Sequence, residues 1–290
     1  MPILATPYDV PRDKISVYRR DGWVRLDGVM PLPDLAPFRD AISSHTIGFA
    51  YGLAPLEQRD TYGKAFIQYT NLWAAHDDVR PFSLAPRFAR IAAELMGVSA
   101  VRIYHDQALF KEAGGGLTPW HQDQQYWPLD GARCITMWMP LVDCPQAMGT
   151  MRFASGSQQL GYLGPLDISD RSEERLKRLI AERGHPLAEA GDMRAGDTTF
   201  HDGWCIHGAQ GNASNKVRAV ITVIYMEADA VITEPDHPSR ENDLKTWLPG
   251  LRAGDVAASP LNPVVWPGCS APREARGCLC PLAGRSRRAS

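Results

Sequence analysis

Residues 119–128 read PWHQDQQYWP. His121 and Asp123 stand two apart, held between Pro119 and Pro128 and surrounded by glutamine, tryptophan and tyrosine. In an extended chain, positions i and i+2 project to the same side, and a residue before proline is pushed towards extended geometry. An imidazole and a carboxylate then point at one place. Two histidines and one carboxylate form a facial triad, which suits non-haem Fe(II) and leaves coordination positions open for other ligands. His121 and Asp123 supply two of its three members, and the third is expected to be a histidine on a distant strand. The same spacing recurs as His76 and Asp78 in AAHDDVRP, a polar and helix-like stretch expected at the surface.

The distant histidine is sought in FHDGWCIHGAQGNASNKVRAVITVIYM, residues 200–226. His207 closes one strand-like stretch and Arg218 opens the next. Gly208, Gly211, Asn212, Ser214 and Asn215 between them are turn formers. A symmetric hairpin centred between Asn212 and Ala213 sets His207 opposite Arg218, with Cβ atoms about 5 Å apart. Charge explains why a metal site would want that arginine. Fe(II) with one carboxylate and two neutral imidazoles keeps one positive charge. A dicarboxylic keto-acid such as 2-oxoglutarate brings two negative charges, and one guanidinium restores neutrality. Its fork also matches a carboxylate in two parallel hydrogen bonds. The competing reading is a structural Asp123–Arg218 ion pair, which satisfies a buried carboxylate but leaves His121 and His207 unexplained. His201, just before the turn-like Asp202-Gly203, is the rival third ligand.

Elements must bring these residues together. The first hundred residues read mainly as helix: RDKISVYRRDG, PLPDLAPFRDAISSH and LAPRFARIAAELMG, the last ending in the glycine expected at a helix stop, with WVRLDGV as a strand. From Val101 the texture changes. VRIYHDQALFKE, RCITMWMPLVD, TMRFAS, TTFHDGWCIHGA and KVRAVITVIYME are short and rich in β-branched and aromatic residues. Turn formers separate them, and one helix, SEERLKRLIAERG, interrupts. Short strands with turn signals predict a sandwich or barrel.

Composition bounds the function. The chain has 290 residues, is 44% hydrophobic and carries a formal charge of −2. That balance excludes a global field that recruits nucleic acid or an acidic membrane surface. The longest apolar run, AVITVIYM, is strand-sized, so no membrane helix is expected. The opening MPILATPYDVPRDK lacks the basic and apolar regions of a secretory leader. None of the six cysteines forms a CxxC pair, and free thiols in a reducing cytoplasm are expected. Residues 1–267 are read as a single domain. Residues 268–290, rich in Arg, Pro, Gly and Ser, are read as a disordered basic tail.

Over roughly 12–230 the sequence resembles the phytanoyl-CoA dioxygenase-like family of Fe(II)/2-oxoglutarate-dependent oxygenases. YRRDGWVRLDGVMPLPDLAPFRDAI looks like the family's opening helix, strand and helix. WHQD looks like its metal motif, MWMPLVDCPQAMGTMRFASGSQ is similar to its central strand pair, and HGAQGNASNKVR looks like its distal histidine and co-substrate arginine. The resemblance implies a mainly β fold with flanking helices, a double-stranded β-helix (jelly-roll, cupin-like) core with the N-terminal helices packed outside. It implies His121, Asp123 and His207 as iron ligands, in preference to His201, and Arg218 as the 2-oxoglutarate anchor. Lys111 and Gln107 stand where some members place further co-substrate contacts. Two departures occur: the segment after the central strands reads ASGSQ, and Ala209 stands where some members carry serine. Asp123 is retained, which disfavours halogenation, since related halogenases replace this carboxylate with a small residue. The implied reaction consumes O2, turns 2-oxoglutarate into succinate and CO2, and hydroxylates a substrate.

Candidate substrate walls are Gln124, Gln125, Tyr126, Trp127, Trp138 and Trp204. Strand alternation sets Gln125 on the face of His121 and Asp123. Aromatic walls with a few hydrogen-bonding groups suit a small, partly apolar metabolite, with specialised-metabolite biosynthesis as the setting. No dense basic cluster near the motifs asks for a coenzyme A phosphate. Residues 52–73 are read as a lid. The expected partner is a small-molecule substrate, not nucleic acid or membrane. Other outcomes of the same cofactor class are desaturation, epoxidation and cyclisation. A cupin-like metal isomerase or binding protein without 2-oxoglutarate turnover is a further alternative, against which Arg218 argues.

Overall fold

The structure, a computed structural model, describes residues 1–267. The expected tail at 268–290, with Cys269, Cys278 and Cys280, lies outside them. The helices are α1 (Arg12–Asp21), α2 (Leu32–Ala50), the single turns α3 (Thr61–Ala65), α4 (Leu72–Ala75) and α5 (Arg80–Ser83), then α6 (Pro86–Met96), α7 (Asp170–Arg183) and α8 (Pro238–Trp247). Helix α6 ends at Gly97 in the left-handed region at φ 70, as its sequence predicts. Ser169 caps α7 through a reciprocal pair with Ser172.

The strands are β1 (Trp23–Leu26), β2 (Ile67–Thr70), β3 (Val101–Phe110), β4 (Thr118–His121), β5 (Cys134–Pro140), β6 (Met151–Ala154), β7 (Leu187–Glu189), β8 (Thr198–Asp202), β9 (His207–Ala209), β10 (Val220–Glu227) and β11 (Val264–Trp266). They form two antiparallel sheets. The major sheet runs β1-β8-β5-β10-β3-β11, with β2 also paired to β3; the minor sheet runs β4-β9-β6-β7. This is the jelly-roll that the sequence leads one to expect.

Alternation divides each major-sheet strand between two environments, its phase in β3 shifting at a bulge between Ile103 and His105. Ile103, Met137, Met139, Phe200, Ile221, Val223 and Tyr225 face outward into the main core with α2 and α6. His105, Gln107, Leu109, Thr136, Trp138, His201 and Thr222 face inward and line a cavity between the sheets. The back of the minor sheet is covered by α7. Glu173 there accepts from the Trp120 N–H at 2.8 Å and pairs with Arg152 at 3.0 Å, and the Arg152 guanidinium lies 4.1 Å over the Trp120 ring.

Three expectations change. TTFHDGWCIHGA is two strands, because Asp202 to Ile206 turn the chain out of the major sheet before β9 enters the minor one. For the same reason the 207–218 segment is no hairpin: β9 and β10 lie in different sheets. Its turn formers make a crossover, pinned by the Asn212 side-chain amide donating to the Lys111, Glu112 and Lys216 carbonyls. Arg218 therefore faces Lys111, and His207 faces His121. Finally, the 52–73 stretch read as a lid contains β2, which the ladder to β3 fixes in the sheet. It supplies wall residues Tyr62, Phe66, Gln68 and Thr70.

Candidate metal centre

Strands β4 and β9 position two imidazoles. Thr118 pairs with Ala209 and His121 with His207, so the three steps along β4 oppose two along β9. The extra residue is a bulge at Pro119-Trp120, where proline's missing N–H costs no ladder bond. Gly208 lies opposite: a Cβ there would stand 2.8 Å from the Thr118 carbonyl oxygen, so only glycine permits this approach. The His121 and His207 ring centroids end 4.2 Å apart.

Both rings are oriented by the carbonyl two residues earlier. His121 Nδ1 lies 2.8 Å from the Pro119 oxygen, and His207 Nδ1 lies 2.9 Å from the Cys205 oxygen. A carbonyl only accepts, so each ring carries its proton on Nδ1 and turns an Nε2 lone pair inward. Asp123 follows the extended Gln122 and opens a 3-10 turn over Asp123–Tyr126. Its Oδ1 lies 3.4 Å from His121 Nε2 and 3.5 Å from His207 Nε2. One ligand atom from each of the three residues falls within 4.8 Å of the others. Three acceptors converging with no donor between them fit a cation, and two nitrogens with one oxygen fit non-haem iron.

The other carboxylate oxygen is occupied. Asp123 Oδ2 accepts from Thr136 Oγ1 at 2.7 Å and from His201 Nε2 at 3.2 Å. His201, the rival candidate, thus grips Asp123 instead of joining the cluster. Burial opposes ionisation of Asp123, but the facing His207 and the hydrogen bond from His201 hold its carboxyl well below the usual range. Burial, and then the neighbouring His207, pushes His121 down. The second HxD copy does not converge: Asp78 pairs with His45 at 3.0 Å, and Tyr69 bonds His76 at 2.8 Å.

Arg218 is 2% exposed and lines the same cavity. Its Nη1 donates to the Gly149 carbonyl, its Nε has no partner, and its guanidinium carbon lies 5.4 Å from the Trp138 ring centroid. A Cβ on Gly149, at φ 81, would collide with the Gln210 carbonyl oxygen, so only glycine fits there. Burial pushes Arg218 down to about 10. Lys111, wholly buried beside it, donates to the Gly116 carbonyl and to Thr118 Oγ1 at 3.2 Å. Burial, then Arg218, pushes its ammonium down to about 6. Among the described residues neither cation has a carboxylate partner. A buried guanidinium without an anion is costly, and together with the neighbouring buried amine its chemistry calls for a carboxylate.

The cavity measures about 370 Å³. Gln107 lines it and accepts from Gln68, whose own oxygen accepts from the Tyr62 hydroxyl. Tyr126, Trp127 and Trp138 line it as expected, and Trp127 also belongs to a buried cluster under α8. Gln124, Gln125 and Trp204 do not line it. The 3-10 turn ends the strand alternation at Asp123, so Gln125 points away: it accepts from the Leu166 N–H at 2.7 Å and reaches Asp167 at 3.4 Å. Gln124 braces Leu129 and Ala132, and Trp204 packs 5.7 Å from Tyr162. Sequence reading missed Thr136, His105 and the whole contribution of α8. Thr136 and His105 were legible only as inward positions of strands, and α8 carries no motif.

No curated protein matches the chain by sequence. A family model described as phytanoyl-CoA dioxygenase matches residues 18–220. Among solved structures, the non-heme alpha ketoglutarate dependent carbocyclase SnoK from nogalamycin biosynthesis superposes with a TM-score of 0.72 at 24% identity, over 90% of this chain and 99% of that one. The epimerase SnoN, in complex with Fe3+, alpha ketoglutarate and nogalamycin RO, gives 0.69 at 26%, over 87% and 97%. EctD from S. alaskensis, with 2-oxoglutarate and 5-hydroxyectoine, gives 0.66 at 19%, over 89% and 90%.

Proposed function

Since the chain belongs to the phytanoyl-CoA dioxygenase family, we propose that it is an Fe(II)- and 2-oxoglutarate-dependent oxygenase that hydroxylates a small, partly apolar metabolite, with residues 1–267 acting as one domain. The observation that carries this reading is the pairing, in one cavity, of the His121–Asp123–His207 cluster with Arg218, a buried cation that has no anion of its own. The iron and co-substrate bound in SnoN and the 2-oxoglutarate bound in EctD support it.

Under this reading His121, Asp123 and His207 hold Fe(II), with Thr136 and His201 fixing the carboxylate so that Oδ1 stays aimed at the metal. Arg218 takes the far carboxylate of 2-oxoglutarate, its free Nε supplying the second prong of the fork. Lys111 stands behind Thr118, whose hydroxyl it bonds, and regains its charge when that carboxylate arrives. Gln107 offers an amide edge beside it. When bound, iron and 2-oxoglutarate supply oxidising power from O2, releasing succinate and CO2. The enclosed walls of Tyr126, Trp127 and Trp138 exclude water and hold the substrate. Three buried free thiols, Cys134, Cys144 and Cys205, suit a reducing cytoplasmic setting. No helix of the described residues is long and apolar enough to cross a membrane.

A second reading keeps the cofactors and changes the outcome. The similarity to a carbocyclase and an epimerase favours ring closure or epimerisation, and desaturation and epoxidation use the same machinery. Product mass separates them: hydroxylation adds one oxygen, ring closure or desaturation removes two hydrogens, and epimerisation leaves mass unchanged.

The test of the cofactor reading is anaerobic absorption of the purified protein with Fe(II), with and without 2-oxoglutarate. A metal-to-ligand charge-transfer band is expected, absent in His121→Ala and weakened in Arg218→Ala. Bound iron with no band would overturn the assignment.

A further inference from the structure

The cavity holds a second carboxylate that the iron site does not use. Asp243, on α8, lines it together with Asn242 and Trp247. Its Oδ2 accepts from the Tyr104 hydroxyl at 2.9 Å, and Trp247 lies one turn further along the same helix. Among the described residues Asp243 makes no ion pair. Of the two cations on its own helix, Lys245 is exposed and Arg240 is spoken for: it grips Asp130 at 2.5 Å, reaches Asp236 at 3.4 Å, and is 1% exposed. His105, whose ring centroid lies 5.0 Å from that of Trp247, is no substitute, because burial pushes it down to about 4 and keeps it neutral.

The site's cations are remote. Tyr104 and Lys111 lie seven residues apart on one extended stretch, about 23 Å at the rise of a strand. Arg218, opposite Lys111, belongs to that far end. The cavity is therefore polarised along β3, basic where Arg218 and Lys111 stand and acidic where Asp243 stands. Asp243 is half-buried with no ion-pair partner, and desolvation pushes it up to about 7 against the hydrogen bond from Tyr104.

We infer that the α8 end of the cavity binds a protonated amino group of the substrate, with Asp243 as its ion-pair partner and the Trp247 face packed on the neighbouring carbons. An ammonium would give Asp243 the charge its surroundings lack, and indole faces attract cations that have been stripped of water. This assigns the substrate class as an amine with an aromatic or alicyclic body. The inference rests on the cavity being the substrate chamber of the oxygenase proposed above. It concerns residues that lie beyond the 18–220 span of the family match.

The test is calorimetric titration of the protein loaded anaerobically with Fe(II) and 2-oxoglutarate. The probes are matched pairs differing by ammonium for hydroxyl: 2-phenylethylamine against 2-phenylethanol, and tryptamine against tryptophol. Each amine is expected to bind at least about tenfold more tightly than its alcohol. Asp243→Asn, which keeps an acceptor for Tyr104, is expected to remove the difference while leaving the charge-transfer band and the affinity for the alcohols unchanged. Failure of both amines to bind, equal affinity for amine and alcohol, or a preference that survives Asp243→Asn would overturn the inference. The same titration on metal-free protein separates the two readings, since Asp243 is present there whether or not the iron site forms.

Discussion

Thr136 and His201 stand directly opposite each other on β5 and β8, and both hold the same oxygen of Asp123. Cross-strand partners share a face of the sheet, so a single register brings both donors to one carboxylate. The oxygen they leave free is the one that faces His121 and His207. The major sheet thus aims a ligand that the minor sheet's histidines complete.

Loosening that grip is expected to weaken metal binding without abolishing it. Thr136→Val and His201→Phe should each raise the dissociation constant for Fe(II) by about 10- to 100-fold, the usual effect of removing a partner of a ligand. Asp123→Ala should abolish tight binding. Anaerobic metal titration followed by calorimetry reads all three, and unchanged affinity in both single variants would show that the carboxylate needs no aiming.

Arg218→Leu should separate function from stability. Affinity for 2-oxoglutarate should fall on the order of 100-fold, as expected for losing charge-assisted hydrogen bonds, while Fe(II) binding stays intact. With no ligand present, the variant should melt about 2–4 °C higher, because a buried cation without an anion has been replaced by an apolar group. A drop in melting temperature would mean that Arg218 is a structural residue first.

Gly208→Ala should push β4 and β9 apart, since its Cβ meets the Thr118 oxygen at 2.8 Å. A loss of about 1–3 kcal/mol in unfolding free energy is expected from the overpacking, with weaker metal binding as His207 moves away from His121. Denaturant titration and metal titration on one preparation check both.

Asp243 also predicts a pH signature in the ligand-free protein. Its folded-state value, near 7, lies above the ordinary carboxyl value of 3.8, so the folded state binds this proton more tightly than the unfolded one. Its contribution to stability is present at low pH and is lost as pH rises towards 7. Groups around it are Tyr104 and His105 on β3, Tyr62 across the cavity, and Arg240 on α8, which Asp130 neutralises. Asp243→Asn should therefore be more stable than the parent at pH 8 by about 1–2 kcal/mol, with the gain shrinking towards pH 5. Melting curves at the two pH values decide it.

The sequence made the chemistry more legible than the architecture around it. Spacing alone paired His121 with Asp123, because Gln122 is extended and the two side chains converge. The choice of His207 over His201 needed the family resemblance; in the structure it is explained by which oxygen of Asp123 each histidine faces. Arg218 lines the cavity, but beside a different neighbour from the one the sequence predicts. A hairpin assumes that consecutive strands pair, whereas here consecutive strands enter different sheets, and only long-range pairing could show that Lys111 faces Arg218. Gln125 was misplaced because period-two reasoning was carried into a 3-10 turn. Thr136 was invisible for a related reason, since nothing local announces a register.

Helix α8 is tied to the chain just past Asp123. His237 donates to the Gln125 carbonyl at 3.1 Å and Arg240 donates to it at 2.9 Å, two residues past Asp123. The family match ends at residue 220, before this helix begins. Under the proposed reading the oxidising site lies wholly within the matched span, whereas part of the substrate wall lies on a later length of polypeptide held against it through Gln125, Tyr104 and Asp130. On that reading, a graft that replaces the inward face of 238–247 but keeps His237 and Arg240 is expected to change which molecules bind and to leave His121, Asp123 and His207 where they are.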